Sequence, residues 1–285
     1  MNQSELSSPL ATPEWLSQHL DHADLVVLDA SWHMPASGRN GVEEWRQQRI
    51  PGARFFDFDG RIKDQNTSLP HMLPDEALFS SEVSALGISN DQTVVIYDSL
   101  GLFAAPRAWW MFRAMGHSKV AVLNGGLPAW IKAGMPLEQG EPAAVKPGRF
   151  NARLQPGWIA DANSVEQALL SGEHAVLDAR SRERFSGAAA DPRPGVRAGH
   201  MPGALNLPFN KVLTDGSMRP AEQLRALFAP LLDNKQKLVC SCGSGVTAAI
   251  LALAAELAGY ENIAVYDGSW SEWGASAHLP VDKDT

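Results

Sequence analysis

Cys242 is the residue of this chain best suited to covalent chemistry. It ends an apolar run within LVCSCGSGVTAAILALAAE (238–256), where a short loop of small residues leads into an Ala-rich stretch. Gly243 and Gly245 allow the backbone to curl so that several N–H groups point inward, and a helix start adds more. Such a cradle holds an anion and would favour the thiolate of Cys242 over the thiol. The alternative is a buried structural cysteine before an ordinary glycine-rich turn.

Two kinds of enzyme use a cysteine in a cradle of this type. Phosphatases of the Cys-x5-Arg kind need an arginine at the sixth position after the cysteine to clamp phosphate, and Ala248 occupies that position here. The sequence therefore argues against phosphatase chemistry. The second kind passes sulfane sulfur through a cysteine persulfide, whose terminal sulfur is an anion that needs the same cradle. The loop also lacks the Gly-Lys-Ser/Thr ending of a Walker A motif.

The elements that must position this loop alternate between strand and helix. Short apolar runs such as LVVLD, TVVIYD and VAVLN suit strands that are buried on both faces of a parallel sheet. The helix-like stretches between such runs are 74–87, 105–116, 220–231 and 246–259. Three of these stretches reach a glycine where a left-handed C-cap belongs, namely Gly87, Gly116 and Gly259. The predicted fold class is α/β, with mostly parallel sheets flanked by helices.

The chain repeats its own pattern once, at an offset of roughly 150 residues, as Leu28 and Leu177 illustrate. Four blocks recur in the same order: LVVLDA (25–30) and HAVLDAR (174–180), RIPGARFFDF (49–58) and HMPGALNLPF (200–209), QTVVIYD (92–98) and QKLVCSC (236–242), VAVLNGGLPAW (120–130) and IAVYDGSWSEW (263–273). This duplication predicts two domains of the same class, at 1–140 and 158–285. The segment 141–157, rich in Pro, Gly and charge, is predicted to link them.

Composition narrows the range of partners and compartments. The chain has 285 residues and a formal net charge of -8, which argues against an extended nucleic-acid footprint. No apolar stretch is long enough to span a membrane, and the N-terminal residues lack the pattern of a secretory signal. Two cysteines, Cys240 and Cys242, cannot form a disulfide framework, so a reducing cytoplasm is the predicted location. Cys240 is expected to be buried and inert.

Four short segments on this duplicated α/β chain, CGSGVTA, HMPGA, DGSWSEW and HMLP, resemble the rhodanese superfamily, and specifically its two-domain 3-mercaptopyruvate sulfurtransferases. The resemblance extends from about residue 12 to 281. The loop Cys-Gly-Ser-Gly-Val-Thr is of the mercaptopyruvate type, whereas thiosulfate-specific rhodaneses typically carry Cys-Arg-Lys-Gly-Val-Thr. The first half is similar to the family's inactive domain, because Asp98 stands where the second half has Cys242, and no tight Gly-x-Gly cradle follows it.

The resemblance implies a sulfurtransferase. The sulfur of 3-mercaptopyruvate would pass through a persulfide on Cys242 to a thiol acceptor, such as a thioredoxin-like protein, or to cyanide, with release of pyruvate. It implies no metal and no organic cofactor. Two alternatives stay open at this point, namely a thiosulfate:cyanide sulfurtransferase and a carrier of sulfane sulfur that does not turn over a donor.

The resemblance also implies residues that bind the donor. Arg184 of ERF and Arg193 of DPRPG match the positions expected to hold the donor carboxylate and carbonyl, and Arg180 and Arg197 are weaker candidates in the same region. The loop residues expected to contact the donor or the persulfide are Gly243, Gly245, Val246 and Thr247. The Thr247 hydroxyl is expected either to bond to the loop or to cap a backbone group.

Proton transfer would involve residues from both halves of the sequence. Ser244, His71 of HMLP and Asp59 of FFDFDG match a catalytic relay in mercaptopyruvate enzymes, and Asp57 is an alternative to Asp59. His200 of GHMPGA is expected to be structural, and the tryptophans of the DGSWSEW segment are expected to serve packing.

Overall fold

The computed structural model describes residues 8–232 and 237–284 and contains two five-stranded sheets of the same topology. The strands of the first half are β1 (Leu10–Ala11), β2 (Leu25–Asp29), β3 (Arg54–Phe55), β4 (Thr93–Tyr97) and β5 (Val120–Leu123). Those of the second half are β6 (Ile159–Ala160), β7 (Ala175–Asp178), β8 (Leu205–Asn206), β9 (Leu213–Thr214), β10 (Ser217–Met218), β11 (Leu238–Ser241) and β12 (Ile263–Tyr266). The sheet orders are β1-β5-β4-β2-β3 and β6-β12-β11-β7-β8, with parallel neighbours throughout. The predicted duplication and the predicted α/β class are confirmed.

Helices flank both sheets and include all four predicted ones. The helices of the first half are α1 (Pro13–His19), α2 (Gly41–Gln47), α3 (Glu76–Ala85), α4 (Ala105–Ala114) and α5 (Gly126–Lys132). Those of the second half are α6 (Ala162–Ser171), α7 (Arg182–Ser186), α8 (Ala221–Leu232), α9 (Ala248–Leu257) and α10 (Ser269–Trp273). The glycines predicted as left-handed caps have φ values of 74° (Gly87), 82° (Gly116) and 86° (Gly259). These caps stop α3, α4 and α9 close to the predicted positions.

The chain divides into two compact units that alternate along the sequence. The first unit holds the described residues up to Asp64, Leu73–Leu154 and Asp215–Met218. The second holds Gln65–Met72, Gln155–Thr214 and the described residues from Arg219 onward. The predicted boundaries, with a linker at 141–157, treat each domain as one continuous segment. In the structure, 65–72 packs with the half that follows it, so His71 belongs to the unit that carries Cys242.

The central strand of each sheet is buried along its whole length, which explains the continuous apolar runs in the sequence. All residues of β4 and of β11 are buried, and each strand is paired on both sides. The indole rings of Trp270 and Trp273 lie in the core of the second unit, as predicted. Among the described residues, no helix is both long and apolar enough to cross a membrane. The first seven residues, where a secretory signal would begin, lie outside the described residues.

Candidate active site

Cys242 lies at the carboxyl end of the central strand of the second sheet, where ligands of parallel α/β domains bind. It directly follows β11, and only 2% of its surface is exposed. Gly245 has a φ of 78°, which turns the chain back toward the start of α9. No acceptor within the described part of the chain receives the N–H groups of Gly243, Ser244 or Val246. The loop therefore presents unused main-chain donors beside the thiol, the requirement for holding an anion.

The start of α10 fixes the first residues of this loop. The Ser269 hydroxyl accepts the N–H of Cys242 at 3.1 Å and donates to the Tyr266 carbonyl at 2.7 Å. The carbonyls of Cys242 and Gly243 accept N–H groups of α10, from Trp270 at 3.0 Å and from Ser271 at 2.9 Å. Ser269 is held at a φ of 48°, which is unusual for a residue other than glycine. Packing was predicted only for the tryptophans of DGSWSEW, and the role of Ser269 was not predicted from the sequence.

The corresponding loop of the first unit surrounds a carboxylate of the chain itself. Asp98 follows β4 as Cys242 follows β11, and its side chain is turned back onto its own loop. One carboxylate oxygen accepts the N–H groups of Phe103, Ala104 and Ala105 at 2.8–2.9 Å, and the other accepts that of Leu100 at 2.9 Å. The sequence predicts no tight Gly-x-Gly cradle after Asp98, and the loop indeed lacks that pattern. A main-chain cradle is nevertheless present, and Asp98 fills it.

Two arginines lie directly over the loop that follows Cys242. A Cβ atom at Gly243 would be 3.2 Å from Nη2 of Arg184 and 3.2 Å from Nη1 of Arg193. Arg184 is carried by the short helix α7, whose N-cap Ser181 accepts the N–H of Arg184. Its Nε is buried and has no acceptor among the described residues. The structure thus brings both predicted arginines to the residue next to Cys242.

The other arginines of the same region have structural partners. Arg180 forms a buried ion pair with Asp178 at 2.7 Å, and its guanidinium lies over the Trp270 ring at 4.3 Å. Arg197 donates to four main-chain carbonyls, those of Trp273, Gly274, Ser276 and Leu279. Arg182 pairs with Asp284 at 2.7 Å. These contacts separate the two weaker candidates, Arg180 and Arg197, from the pair that lies over the loop.

The residues of the predicted relay occupy both units. Ser244, in the loop, and His71 are buried and belong to the second unit. Asp59 belongs to the first unit, where it accepts the indole N–H of Trp32 at 3.0 Å. Asp57 accepts the N–H of Gly60 at 2.8 Å within its own turn. Each of the two carboxylates therefore has a hydrogen-bond partner within the first unit.

The remaining predicted residues follow from the local structure. Thr247 precedes α9 with a helical backbone and caps no group of that helix, so the predicted cap is absent. Val246 is buried in the loop. Cys240 is a fully buried free thiol within β11, and this burial raises its pKa far above the ordinary value. A thiol of this kind stays protonated, which agrees with the prediction that Cys240 is inert.

The segment 281–284 forms hydrogen bonds that stabilise the position of α7, the helix that carries Arg184. The main-chain groups of Asp282 and His200 exchange two hydrogen bonds of 2.9 Å, and the N–H of Asp284 donates to the Ser186 carbonyl at 3.0 Å. The His200 ring stacks on Phe185 of α7 with ring centroids 4.0 Å apart, and its Nδ1 lies 2.9 Å from the Phe185 carbonyl. His200 is therefore structural, as predicted. The 281–284 segment adds a main-chain hydrogen bond to α7 beside the contacts that His200 makes with the same helix.

Truncation after Pro280 is expected to raise the KM for an anionic donor about threefold to tenfold with little change in kcat, because α7 loses its support while Cys242 keeps its own. Steady-state kinetics with 3-mercaptopyruvate measure the effect. Asp284→Ala is the matched control and should stay within about twofold, because it keeps the main-chain bonds and removes only side-chain contacts, the ion pair with Arg182 and a 3.9 Å contact with His200. A truncated protein with unchanged KM would show that α7 holds Arg184 without this segment.

Comparison with known proteins places this site within a family. The model of the rhodanese-like domain matches the chain twice, at residues 12–133 and 161–276. The second match contains Cys242, both arginines and α10, and the first contains Asp98. The two matches correspond to the two sheets and agree with the duplication seen in the sequence.

Relatives with known names match the chain over nearly its full length. The 3-mercaptopyruvate sulfurtransferase of Escherichia coli (strain K12) is 39% identical, over 94% of this chain and 96% of the relative. The thiosulfate sulfurtransferase of Cricetulus griseus is 42% identical, over 93% and 91%. The mitochondrial thiosulfate/3-mercaptopyruvate sulfurtransferase 1 of Arabidopsis thaliana is 40% identical, over 97% and 79%. One relative is thus mitochondrial by name, and cytoplasmic localisation of this chain stays a prediction.

A solved structure agrees with the same assignment. The crystal structure of SseA from Escherichia coli, described as a 3-mercaptopyruvate sulfotransferase with the rhodanese fold, superposes with a TM-score of 0.84. It is 34% identical, and the match covers 93% of this chain and 99% of that one. The chain therefore belongs to the rhodanese family and carries two rhodanese-like domains.

Proposed function

We propose that the chain is a 3-mercaptopyruvate sulfurtransferase, with Cys242 as the sulfur carrier. The observation that carries this proposal is the placement of Arg184 and Arg193 over Gly243, beside the cysteine. A pair of guanidinium groups suits the carboxylate and the carbonyl of a 2-oxo acid. The loop itself offers main-chain donors and no charged side chain, so the cationic groups of the site are those that would hold the donor carboxylate.

The first half-reaction transfers one sulfur atom to the enzyme. The thiolate of Cys242 attacks the thiol sulfur of 3-mercaptopyruvate, and a new S–S bond forms as the C–S bond breaks. The electron pair of that bond goes to the methylene carbon, where the neighbouring ketone stabilises it as an enolate. Arg184 and Arg193 favour this step by binding the carboxylate and polarising the ketone. The persulfide then rests among the N–H groups of the loop.

Protonation of the enolate carbon gives pyruvate. The proton that the donor thiol loses accounts for the proton that the enolate gains. Ser244 lies within the loop and can accept and return a proton through its hydroxyl. His71 and Asp59 would complete this relay, as the resemblance implies. In the second half-reaction an acceptor thiolate, or cyanide, attacks the outer sulfur and releases the Cys242 thiolate, which gives ping-pong kinetics. Thioredoxin-like dithiols suit this step because they can reduce a persulfide without a cofactor.

Mass spectrometry of the protein after incubation with 3-mercaptopyruvate tests the proposal. We expect one added sulfur atom on Cys242 and release of one equivalent of pyruvate before any acceptor is added. Cys242→Ser should lose both signals, whereas Cys240→Ser should keep them because Cys240 is buried within the strand. Sulfur on Cys242 without pyruvate, accepted from a partner persulfide, would instead identify a carrier.

A second candidate function is thiosulfate sulfur transfer, which the Cricetulus griseus relative favours by its name. The values of kcat/KM for the two donors, measured with the same acceptor, separate the two functions. We expect 3-mercaptopyruvate to be preferred, because the loop lacks the Arg-Lys pair that suits the doubly charged donor. A preference for thiosulfate would overturn the assignment of the donor and leave the persulfide chemistry intact.

A further inference from the structure

Asp191 connects the two arginines that lie over the catalytic loop. Its Oδ2 is 2.6 Å from Nη2 of Arg184, and its Oδ1 accepts the main-chain N–H of Arg193 at 3.0 Å. Nη1 of Arg193 is a further 3.7 Å contact of Oδ1. The Asp191 side chain is only 2% exposed, whereas each arginine side chain is 26% exposed. A buried carboxylate therefore contacts two arginine side chains that are themselves partly exposed.

This arrangement determines the net side-chain charge that a donor encounters above the loop. Arg184 and Arg193 contribute two positive charges, and Asp191 removes one of them, while the side chains of Gly243 and Ser244 contribute none. The carboxylate of 3-mercaptopyruvate carries one negative charge, whereas thiosulfate carries two. Because Asp191 is buried, solvent screens its charge less than that of a surface carboxylate.

We propose that Asp191 is a positioning and specificity-determining residue, which holds both arginines and tunes the site to a singly charged donor. This inference rests on the proposed function and deepens it. Loss of the negative charge would leave the pair with two uncompensated positive charges, which favours the dianion over the monoanion. A purely structural Asp191 would instead affect both donors in the same proportion, because both need the same two arginines in place.

Asp191→Asn is the variant that separates charge from position, because an amide oxygen can still accept a hydrogen bond at nearly the same place. We expect the ratio of kcat/KM for thiosulfate to kcat/KM for 3-mercaptopyruvate to rise about tenfold or more relative to the unmodified protein. The rise should shrink at high salt, since it is electrostatic. Sulfate should also become a stronger competitive inhibitor relative to acetate.

Two further variants serve as controls. Asp191→Glu keeps the charge and should keep the ratio of the two donors near that of the unmodified protein, even where both rates fall. Glu183→Gln removes the same charge from an exposed residue one position before Arg184, and it should leave the ratio within about twofold because solvent screens it. Circular dichroism and thermal melting check that each variant is folded.

An equal fall for both donors in Asp191→Asn, with no change in salt dependence, would overturn the inference. Should that variant fail to fold, Asp191→Ala decides the question, since a rise of about tenfold in its ratio of thiosulfate to 3-mercaptopyruvate kcat/KM would support a role of the charge and an equal fall for both donors would contradict it. Failure of the proposed function shows elsewhere, as an unmodified protein that releases no pyruvate from 3-mercaptopyruvate. The two failures are therefore distinguishable.

Discussion

Asp98→Ala is expected to lower the free energy of unfolding of the first unit by about 3 to 5 kcal/mol. The carboxylate is buried and accepts N–H groups from Phe103, Ala104 and Ala105, each at 2.8–2.9 Å. Truncation leaves these donors without an acceptor at the start of α4, a helix whose side chains are almost all buried. Urea unfolding measures the loss, and hydrogen exchange at the three amides locates it.

Two further variants distinguish the loss of the negative charge at residue 98 from the loss of the hydrogen-bond acceptor there. Asp98→Asn keeps one oxygen for the cluster of N–H groups and should cost about 1 to 2 kcal/mol. Asp91→Ala removes an exposed carboxylate from the same unit and should stay within about 0.5 kcal/mol. Because the chain has two compact units, we expect two transitions in the urea unfolding curve, and the effect of Asp98→Ala belongs to that of the first unit. Unchanged amide protection in Asp98→Ala would mean that the loop holds its shape without an internal anion.

The hydrogen bonds that Asp98 accepts can be compared with the N–H groups of the loop that follows Cys242. Both residues follow the central strand of a sheet of the same topology. In the first unit the loop donors are already used by a carboxylate of the chain itself, so no external anion can enter. In the second unit a thiol stands at the end of the central strand, beside N–H groups of Gly243, Ser244 and Val246 that have no acceptor among the described residues. The two units thus place different groups at the same point of the fold, a carboxylate that uses the donors of its loop and a cysteine whose loop donors are not used within the described chain.

Periodicity and repetition made the architecture predictable. Fully buried parallel strands read as continuous apolar runs, and β4 and β11 appeared in the sequence for that reason. Left-handed glycines marked the ends of α3, α4 and α9. The order of strands within each sheet was not predicted, because local pattern determines which residues form strands and says little about which strands become neighbours.

Properties of the main chain and of long-range contacts were harder to predict. The cradle around Asp98 escaped detection because N–H groups belong to every residue type, and only their direction makes a site. Asp191 and Ser269 were missed because their roles depend on loops that return to the catalytic strand from elsewhere in the chain. Of the two roles expected for the Thr247 hydroxyl, a bond to the loop or a cap, the structure excludes the cap, and Thr247 has helical backbone angles. Cys242 was singled out by its position between an apolar run and a glycine loop, whereas Arg184 and Arg193 were chosen among the arginines of their region because their motifs resemble those of the family.

Gly243→Ala is expected to lower kcat/KM for 3-mercaptopyruvate about 10- to 100-fold, mainly through KM. The added methyl group would lie 3.2 Å from guanidinium nitrogens of both Arg184 and Arg193, which is too close for ordinary packing. The two arginines are partly exposed at their ends, so they can move aside, and the donor carboxylate then loses its binding geometry. Gly243 is needed for space, since its φ lies outside the left-handed region. Steady-state kinetics with 3-mercaptopyruvate measure the effect.

Gly245→Ala provides the contrast because Gly245 is needed for its backbone conformation, with a φ of 78°. An alanine there is strained by about 1 to 2 kcal/mol and should disturb the cradle itself, whichever donor is used. An alkyl persulfide, which has no carboxylate to be held by arginine, distinguishes the two defects. It should load sulfur onto Cys242 within about threefold of the normal rate in Gly243→Ala and much more slowly in Gly245→Ala. If both variants lose both donors equally, the arginines do not act through the space above residue 243, and the binding of the donor carboxylate must be assigned to other residues.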